Sequence, residues 1–349
     1  MGIQGQSLQD LAECALLHDN AVAQYIQEEL QNDALRNGVT KLGRHCTIGE
    51  KILKNIPFHN DVSYCTPHEN ADGSEPFGKQ WNEVPFFARI IHMCDTIDIF
   101  CRSMKSDSDE WKRTEEFVIK SKDKLFDSFC VEVFFNAFSD EKIHMIDNET
   151  LDTMLWKKVP RIKLELNFAQ IKAIADLFAH IVDYKSPFTS NHSMGVAEKI
   201  SRFMGFDEDI CQKMYIAGAL HDIGKVAIGN EILEKPEKLT DEEFKTMKHH
   251  AVYTYYILSG IDDFEEIRDW AALHHEKLNG KGYPFGKTAD ELNKPERIMA
   301  CIDIYQALTE DRPYKKGLSH DKACGILDDM AQKGFVDSDI SNKIRDCFG

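Results

Sequence analysis

Five histidines and two aspartates in the C-terminal half of the chain lie where side chains should turn inward. Each of them alone could be a hydrogen-bonded core residue. Seven together are hard to explain in that way, because a buried carboxylate or imidazole is costly without a partner. The sequence therefore predicts a metal centre. Its candidate ligands are His192, His221, Asp222, His250, His274, His275 and Asp303.

The mixture of imidazole and carboxylate suits Fe, Mn, Zn, Ni or Co. Seven ligands are too many for one ion, so the set predicts two ions that share a bridging carboxylate. Two such ions, roughly 3.5–4 Å apart, lower the pKa of a bound water and hold the oxygens of a phosphoryl group. Lys225, at the end of the HDIGK stretch, is either a solvated cation at a helix end or a charge aimed at a phosphate.

Helices must position these residues, because apolar residues recur at helical spacing along nearly the whole chain. Asp207 is a candidate N-cap, and Gly224 is a candidate C-cap of the same helix. Thr240 and Glu243 have the spacing of a capping box at the start of a second helix. A third helix opens near Pro295. The predicted fold class is all-α.

The chain also carries an internal repeat. LLHD at 16–19 matches ALHD at 219–222, and four further blocks match in the same order. The offset rises only from 203 between His18 and His221 to 208 between Asp95 and Asp303. This order indicates a tandem duplication. Residues 139–165 are polar and weakly periodic, and we interpret them as a linker.

Composition excludes several classes of protein. The 349 residues suggest two domains, and a net charge of −17 argues against binding duplex nucleic acid through its phosphates. We expect no membrane segment, because no run of 18 residues is apolar, and the N-terminus does not resemble a signal peptide. The ten cysteines form no CxxC motif, which favours the reducing cytoplasm.

Together these stretches resemble the HD-GYP family of phosphodiesterases, a branch of the HD metallophosphohydrolases. The resemblance covers about 166–325. The matching stretches are SPFTSNHS (186–193), LHDIGK (220–225), LTDEEFKTMKHH (239–250), HHEKLNGKGYPFG (274–286) and ERIMACIDIYQALTEDRPYKKG (296–317). With the repeat, it implies two HD-domain-like helical bundles in tandem: a degenerate domain at 1–138, the linker at 139–165 and a catalytic domain at 166–349.

The resemblance also implies roles for individual residues. All seven candidates would be metal ligands, and Asp222 would bridge two divalent ions, with Fe or Mn favoured over Ni, Co and Zn. Lys225 matches a lysine near the scissile phosphate, so Asp222 and Lys225 are the expected catalytic residues. Arg312 and Lys315 match basic positions that, with Lys225, hold substrate phosphates. Family members hydrolyse cyclic dinucleotides, above all cyclic di-GMP, and some cleave 3',3'-cyclic GMP-AMP.

Several positions depart from the family pattern. Some members bind a third metal through a Glu at the position of Phe188, so we expect two ions here. The other departures affect loop geometry and substrate preference rather than predicted ligands. They are Thr254 in place of Gly, Ala251 in place of Pro, Asn279 in place of Asp and Gln306 in place of Asp.

The N-terminal half keeps only part of the pattern. PHENADGSEPFG at 67–78 resembles a shortened copy of HHEKLNGKGYPFG. Pro67 occupies the position that matches His274, and Val22 the one that matches Lys225. This half could hold one metal, or it could be a packing or regulatory half. The ligand-type residues that persist are His18, Asp19, His45, His68 and Asp95.

The leading hypothesis is a cytoplasmic two-metal phosphodiesterase that cuts a cyclic dinucleotide to a linear one. The main alternative is a cyclic-dinucleotide receptor or docking protein with little or no hydrolysis. A weaker alternative is another HD phosphohydrolase that acts on nucleotides or phosphomonoesters. The expected partner is the cyclic dinucleotide, and a signalling protein or a second copy of the chain is left open. Duplex nucleic acid and membrane are not expected partners.

Overall fold

The structure is a computed structural model that describes residues 2–21, 44–58, 84–103, 109–138, 155, 157–160, 162, 164–185, 192–201, 207–235, 237–311 and 316–348. The chain divides into two compact units, Met1–Glu165 and Leu166–Gly349. Most of the predicted linker lies outside the described residues. The assignment of the three predicted domains stays a prediction.

Helices dominate both units. Those of the first unit are α1 (Gln6–Leu17), α2 (Arg44–Leu53), α3 (Phe86–Arg102), α4 (Glu110–Ser121) and α5 (Ser128–Ala137). Those of the second unit are α6 (Phe168–Lys185), α7 (His192–Ser201), α8 (Glu208–Leu220), α9 (Asn230–Leu233), α10 (Asp241–Ser259), α11 (Glu265–Ala272), α12 (Lys294–Thr309), α13 (His320–Gln332) and α14 (Ser338–Phe348).

The all-α prediction is confirmed. Within the described residues, pairing between extended segments is limited to two isolated bridges, Lys122 with Phe126 and Asn279 with Thr288. None of the described helices is long and apolar enough to cross a membrane.

Helix α8 lies at the centre of the second unit. Its last seven residues, Met214–Leu220, are all buried, as expected for a helix that is surrounded by others. It packs against α6, α7 and α11. Gly218 permits the close approach of α7, because a Cβ there would lie 2.9 Å from Ala197 Cα. This packing brings the C-terminal end of α8 into the interior.

The predicted helix starts are present. Asp207 accepts a hydrogen bond from the Ile210 backbone N–H at 3.0 Å. Thr240 and Glu243 form the expected capping box at the start of α10. Pro295 lies in the first turn of α12, after an N-cap at Asn293.

The predicted C-cap at Gly224 is wrong. Helix α8 ends at Leu220, and Gly224 lies inside a 3-10 turn that spans Ile223–Ala227. The glycine is needed for close packing instead, because a Cβ would lie 2.0 Å from His250 O. His221 and Asp222 therefore occupy a turn that is pressed against α10.

The first unit has its own small core, in which α3, α4 and α5 meet around buried Val118 and Phe126. Asp127 caps α5 by accepting hydrogen bonds from Phe129 N and Cys130 N. It also forms an ion pair with Arg89 on α3 at 2.6 Å. Asp127 therefore stabilises the start of α5, and its ion pair with Arg89 links this helix to α3.

Candidate metal centre

The second unit brings all seven predicted ligands together from five places in the fold. His192 opens α7, His221 and Asp222 form the turn after α8, His250 lies within α10, and Asp303 lies within α12. The pair His274–His275 follows α11. Six of the seven are buried, and His275 is half-buried.

Two carboxylates organise the cluster. Asp222 Oδ2 lies 3.3 Å from His221 Nε2, and its Oδ1 lies 3.5 Å from His250 Nε2 and 4.0 Å from His274 Nε2. The two oxygens of Asp222 therefore face different imidazoles.

Asp303 is the second focus. Its Oδ1 lies 2.9 Å from His192 Nε2 and 3.8 Å from His221 Nε2. Its Oδ2 lies 3.9 Å from His275 Nδ1. His221 thus stands between the two carboxylates.

Backbone carbonyls fix the tautomers of three of the histidines. In His221, His250 and His274, the Nδ1 atom is hydrogen-bonded to the carbonyl three residues earlier. Since a carbonyl oxygen can only accept, Nδ1 carries the proton and Nε2 is left as a bare acceptor. The carbonyls are Gly218 O at 2.7 Å, Met247 O at 2.6 Å and Ala271 O at 2.6 Å.

The same three Nε2 atoms are buried and make no hydrogen bond. Each faces an oxygen of Asp222, which is also an acceptor when ionised. Two acceptors that face each other in a buried site need a cation between them. The donor set therefore fits a metal ion.

Three groups of donors in the described residues could each hold an ion. Within each group, the ligand atoms lie within 4.8 Å of one another. The groups are His250, His274 and His275; His192, His221 and Asp303; and His221, Asp222 and His274. The first two groups share no residue.

The charge states of Asp222, His274 and His275 also suit metal binding. Burial disfavours ionised Asp222, but nearby positive charge, first that of the Lys225 ammonium, outweighs it and holds the pKa of that carboxyl well below its usual range. Burial lowers the pKa of His275 to about 3 and lowers that of His274 well below its usual value. Ionised carboxylates and neutral imidazoles are the forms that ligate metals.

Lys225 points its ammonium at the centre. Its Nζ lies 2.5 Å from Asp222 Oδ2, and the side chain is 18% exposed. Lys185, at the end of α6, holds the turn that carries Lys225. The Lys185 ammonium donates to Lys225 O at 3.2 Å, Val226 O at 2.6 Å and Ile228 O at 2.9 Å.

The loop with the Gly-Tyr-Pro sequence is held by Glu276, which the sequence analysis did not single out. The buried Glu276 carboxylate accepts three backbone N–H groups from the other side of the loop. They are those of Phe285 at 2.7 Å, Gly286 at 3.0 Å and Lys287 at 3.0 Å. This contact brings the Tyr283 ring to 4.7 Å from the His275 ring.

Thr254 is a departure from the family pattern with a definite contact. Its hydroxyl donates to His221 O and accepts from Gly224 N, both at 3.0 Å. The side chain is fully buried. Thr254 thus ties the His221–Asp222 turn to α10.

Replacing Thr254 with valine is expected to lower the free energy of unfolding by about 1–3 kcal/mol, because two buried backbone groups lose their partner. Thr254→Ser keeps the hydroxyl and should retain most of the stability. Urea unfolding followed by circular dichroism measures both variants. A loss of stability in Thr254→Ser with none in Thr254→Val would show that the methyl group, not the hydroxyl, matters.

Glu310 is a residue of the centre that sequence reasoning missed. Its Oε2 lies 3.2 Å from His192 Nδ1, and its side chain is 11% exposed. One signal was available, since Glu310 follows the last turn of α12, where the helix macrodipole disfavours an acidic residue. Hydrogen bonds to Asp303 and Glu310 outweigh burial and raise the pKa of His192 to about 10.

We expect Glu310→Gln to weaken metal binding by roughly 10–100-fold, because a carboxylate orients a ligating imidazole and makes it more basic. Competition with a chelator, followed by metal analysis, measures the change. Glu291→Gln, at an exposed capping residue of the same unit, is the matched control. Unchanged affinity would mean that Glu310 does not orient His192.

Some sequence expectations fall outside the described residues. They concern the predicted substrate-binding residues Arg312 and Lys315, Phe188 at the third-metal position, and His68. The side chain of His45 is likewise not described.

Residues 176–340 match the HD domain family. The chain is 31% identical to the 3'3'-cGAMP-specific phosphodiesterase 3 of Vibrio cholerae serotype O1, over 85% of this chain and 66% of that protein. It is 28% identical to the 3'3'-cGAMP-specific phosphodiesterase 1 of the same organism, over 94% of this chain and 79% of that protein.

A third relative, which aligns over a shorter stretch, and one solved structure are also named as phosphodiesterases of cyclic dinucleotides. The cyclic di-GMP phosphodiesterase response regulator RpfG of Xanthomonas campestris pv. campestris is 35% identical over 45% of this chain and 42% of its own length. The crystal structure of the cyclic GMP-AMP specific phosphodiesterase V-cGAP3 of V. cholerae superposes with a TM-score of 0.61 at 23% identity. That match covers 99% of this chain and 88% of the other, and it confirms the helical fold. The chain therefore carries an HD domain, and the relatives that it matches are named as phosphodiesterases of cyclic dinucleotides.

Proposed function

We propose that the chain is a metal-dependent phosphodiesterase that hydrolyses a cyclic dinucleotide, cyclic di-GMP or 3',3'-cyclic GMP-AMP, to a linear dinucleotide. The observation that carries the proposal is the set of three buried, unprotonated Nε2 atoms that face the oxygens of Asp222. A centre of this kind costs free energy unless a cation fills it.

The seven predicted ligands would hold two divalent transition metal ions, Fe or Mn first and Ni, Co or Zn as alternatives. Asp222 would bridge them, which is supported by its two oxygens facing different histidines. The two donor groups that share no residue are consistent with two ions. When bound, such a pair acts as a Lewis acid and lowers the pKa of a water molecule.

Residues of the chain then orient the phosphate and neutralise charge. Lys225 would donate to a non-bridging phosphate oxygen as negative charge grows there. Arg312 and Lys315 would bind the phosphates from the RPYK segment. Hydrolysis adds a water oxygen to phosphorus and breaks its bond to the ribose 3'-oxygen, which leaves with a proton.

The relatives suggest which substrate to test first. The two that align along most of this chain are named for 3'3'-cGAMP, whereas those named for cyclic di-GMP align with smaller shares of it. Cyclic GMP-AMP is therefore the first candidate, and cyclic di-GMP is the second.

Product analysis tests this function. The full chain is incubated anaerobically with Fe(II) or Mn(II) and with 3',3'-cyclic GMP-AMP, cyclic di-GMP or cyclic di-AMP. We expect a linear dinucleotide from one of the first two, and no product after chelation. Tight binding without product over hours would support the receptor alternative. Turnover of phosphomonoesters alone would support the other phosphohydrolase activity.

A further inference from the structure

Lys248, on α10, places a second ammonium group close to the metal centre. Its Nζ lies 5.3 Å from the centre of the Tyr283 ring. The Tyr283 ring in turn lies 4.7 Å from the ring of His275 and 6.4 Å from that of His250, which are two of the predicted metal ligands. A single aromatic ring therefore lies beside both the ammonium and the imidazoles of the centre.

Two aromatic faces hold this ammonium in position. Besides Tyr283, its Nζ lies 4.7 Å from the centre of the Phe244 ring, one turn earlier on α10. The electrons of an aromatic face attract a cation placed over it. Within the described residues, Lys248 forms no ion pair with a carboxylate, in contrast to Lys225, which is paired with Asp222. The positive charge of Lys248 is therefore held in place without being neutralised.

The surroundings of Lys248 leave it accessible to a ligand. Lys248 and Tyr283 are half-buried, and Phe244 is 47% exposed. A lysine in this setting packs its methylene stem against the protein and keeps its ammonium at the solvent. Tyr283 belongs to the loop that Glu276 fixes through three backbone N–H groups, so the ring under the ammonium has a defined position.

The proposed substrate needs such a cation in addition to Lys225. A cyclic dinucleotide has two phosphodiester groups with one negative charge each, and only one of them can be cut at the metal ions at a time. The other must lie outside the ligand cluster, on a chain whose net charge is −17. A local positive charge offsets the repulsion between that phosphate and an acidic protein.

We propose that Lys248 is a further substrate-binding residue, whose ammonium donates to the phosphodiester that is not being cut, and that Phe244 positions this ammonium. The inference rests on the proposed function, and Lys248 would act in addition to Arg312 and Lys315. The charge of the uncut phosphate does not change during the reaction. Lys248 therefore binds the substrate and the transition state equally, and its loss should raise KM while kcat stays nearly unchanged.

The test begins with Lys248→Met, which keeps the apolar stem and removes the charge. Steady-state kinetics uses 3',3'-cyclic GMP-AMP, or cyclic di-GMP if the chain prefers it. We expect KM to rise roughly 10-fold, as for the loss of one charge-assisted hydrogen bond. Lys248→Arg keeps the cation and should restore most of the affinity. Lys277→Met is the matched control, because Lys277 is also half-buried and its Nζ lies 4.6 Å from the centre of the Phe335 ring.

Further measurements separate a contact with substrate from a structural role. The metal content and the unfolding temperature of Lys248→Met should equal those of the wild-type chain. Phe244→Leu should raise KM in the same direction but by less, since the ammonium remains and only its support is lost. Added salt should reduce the difference in KM between Lys248→Met and the wild type, because salt screens exposed charges. A difference that persists at high salt would overturn the contact with a phosphate.

The outcome can be told apart from that of the proposed function. If the chain binds the cyclic dinucleotide without cutting it, Kd from equilibrium dialysis replaces KM, and the same changes are expected. An unchanged KM or Kd in Lys248→Met would overturn the inference and leave the proposed function standing. Neither binding nor turnover by the wild-type chain would overturn both.

Discussion

Asp222→Ala is expected to reduce hydrolysis to the background of the assay and to empty the centre of the second unit, with helical content unchanged. Asp222 lies within 4.0 Å of three of the ligand histidines, His221, His250 and His274. Removing it takes away the proposed bridge between the ions. Its side chain lies in the turn after α8, so no helix depends on it.

The result is checked by three measurements on the same preparation: turnover of the cyclic dinucleotide, metal content and circular dichroism. Asp209→Ala is the matched control, because Asp209 lies on α8 with an exposed side chain paired to Lys213. The control should keep both ions and full turnover. Full activity of Asp222→Ala would contradict the proposed centre.

Lys225→Met should lower kcat by roughly 10²–10³-fold, the range seen when one donor to a developing oxyanion is removed. Metal content should be retained, because Lys225 is not among the proposed ligands. KM should change less than kcat if the ammonium acts mainly in the transition state. Steady-state kinetics on metal-loaded protein measures both constants.

Lys213→Met is the control for Lys225→Met, since Lys213 is a lysine of α8 whose ion pairs lie on the surface of the unit. Loss of metal from Lys225→Met would give the lysine another role. It would then serve to hold Asp222, which its ammonium contacts at 2.5 Å. An unchanged kcat would remove Lys225 from the proposed mechanism.

Several features of the fold follow from the sequence alone because they are local. The cap at Asp207 and the capping box at Thr240 join residues three positions apart, and such contacts form wherever the helix starts. The hydrogen bonds from His221, His250 and His274 to the carbonyl three residues earlier are equally local. Helical periodicity gave the fold class, and the accumulation of His and Asp on apolar faces identified the seven residues that the structure brings together.

Other features depend on contacts between distant parts of the chain, which spacing does not encode. The Glu310 carboxylate contacts His192, which lies 118 positions earlier in the chain. Thr254 is hydrogen-bonded to Gly224 and His221, which lie 30 and 33 positions earlier. The predicted end of α8 at Gly224 is wrong for the same reason. A glycine is needed at this position because the backbone of α10 lies close to it, and the sequence near Gly224 does not encode that contact. A sequence shows which side chains need partners, since burial and charge are properties of residue types. Only the packing of the helices decides which partners they find.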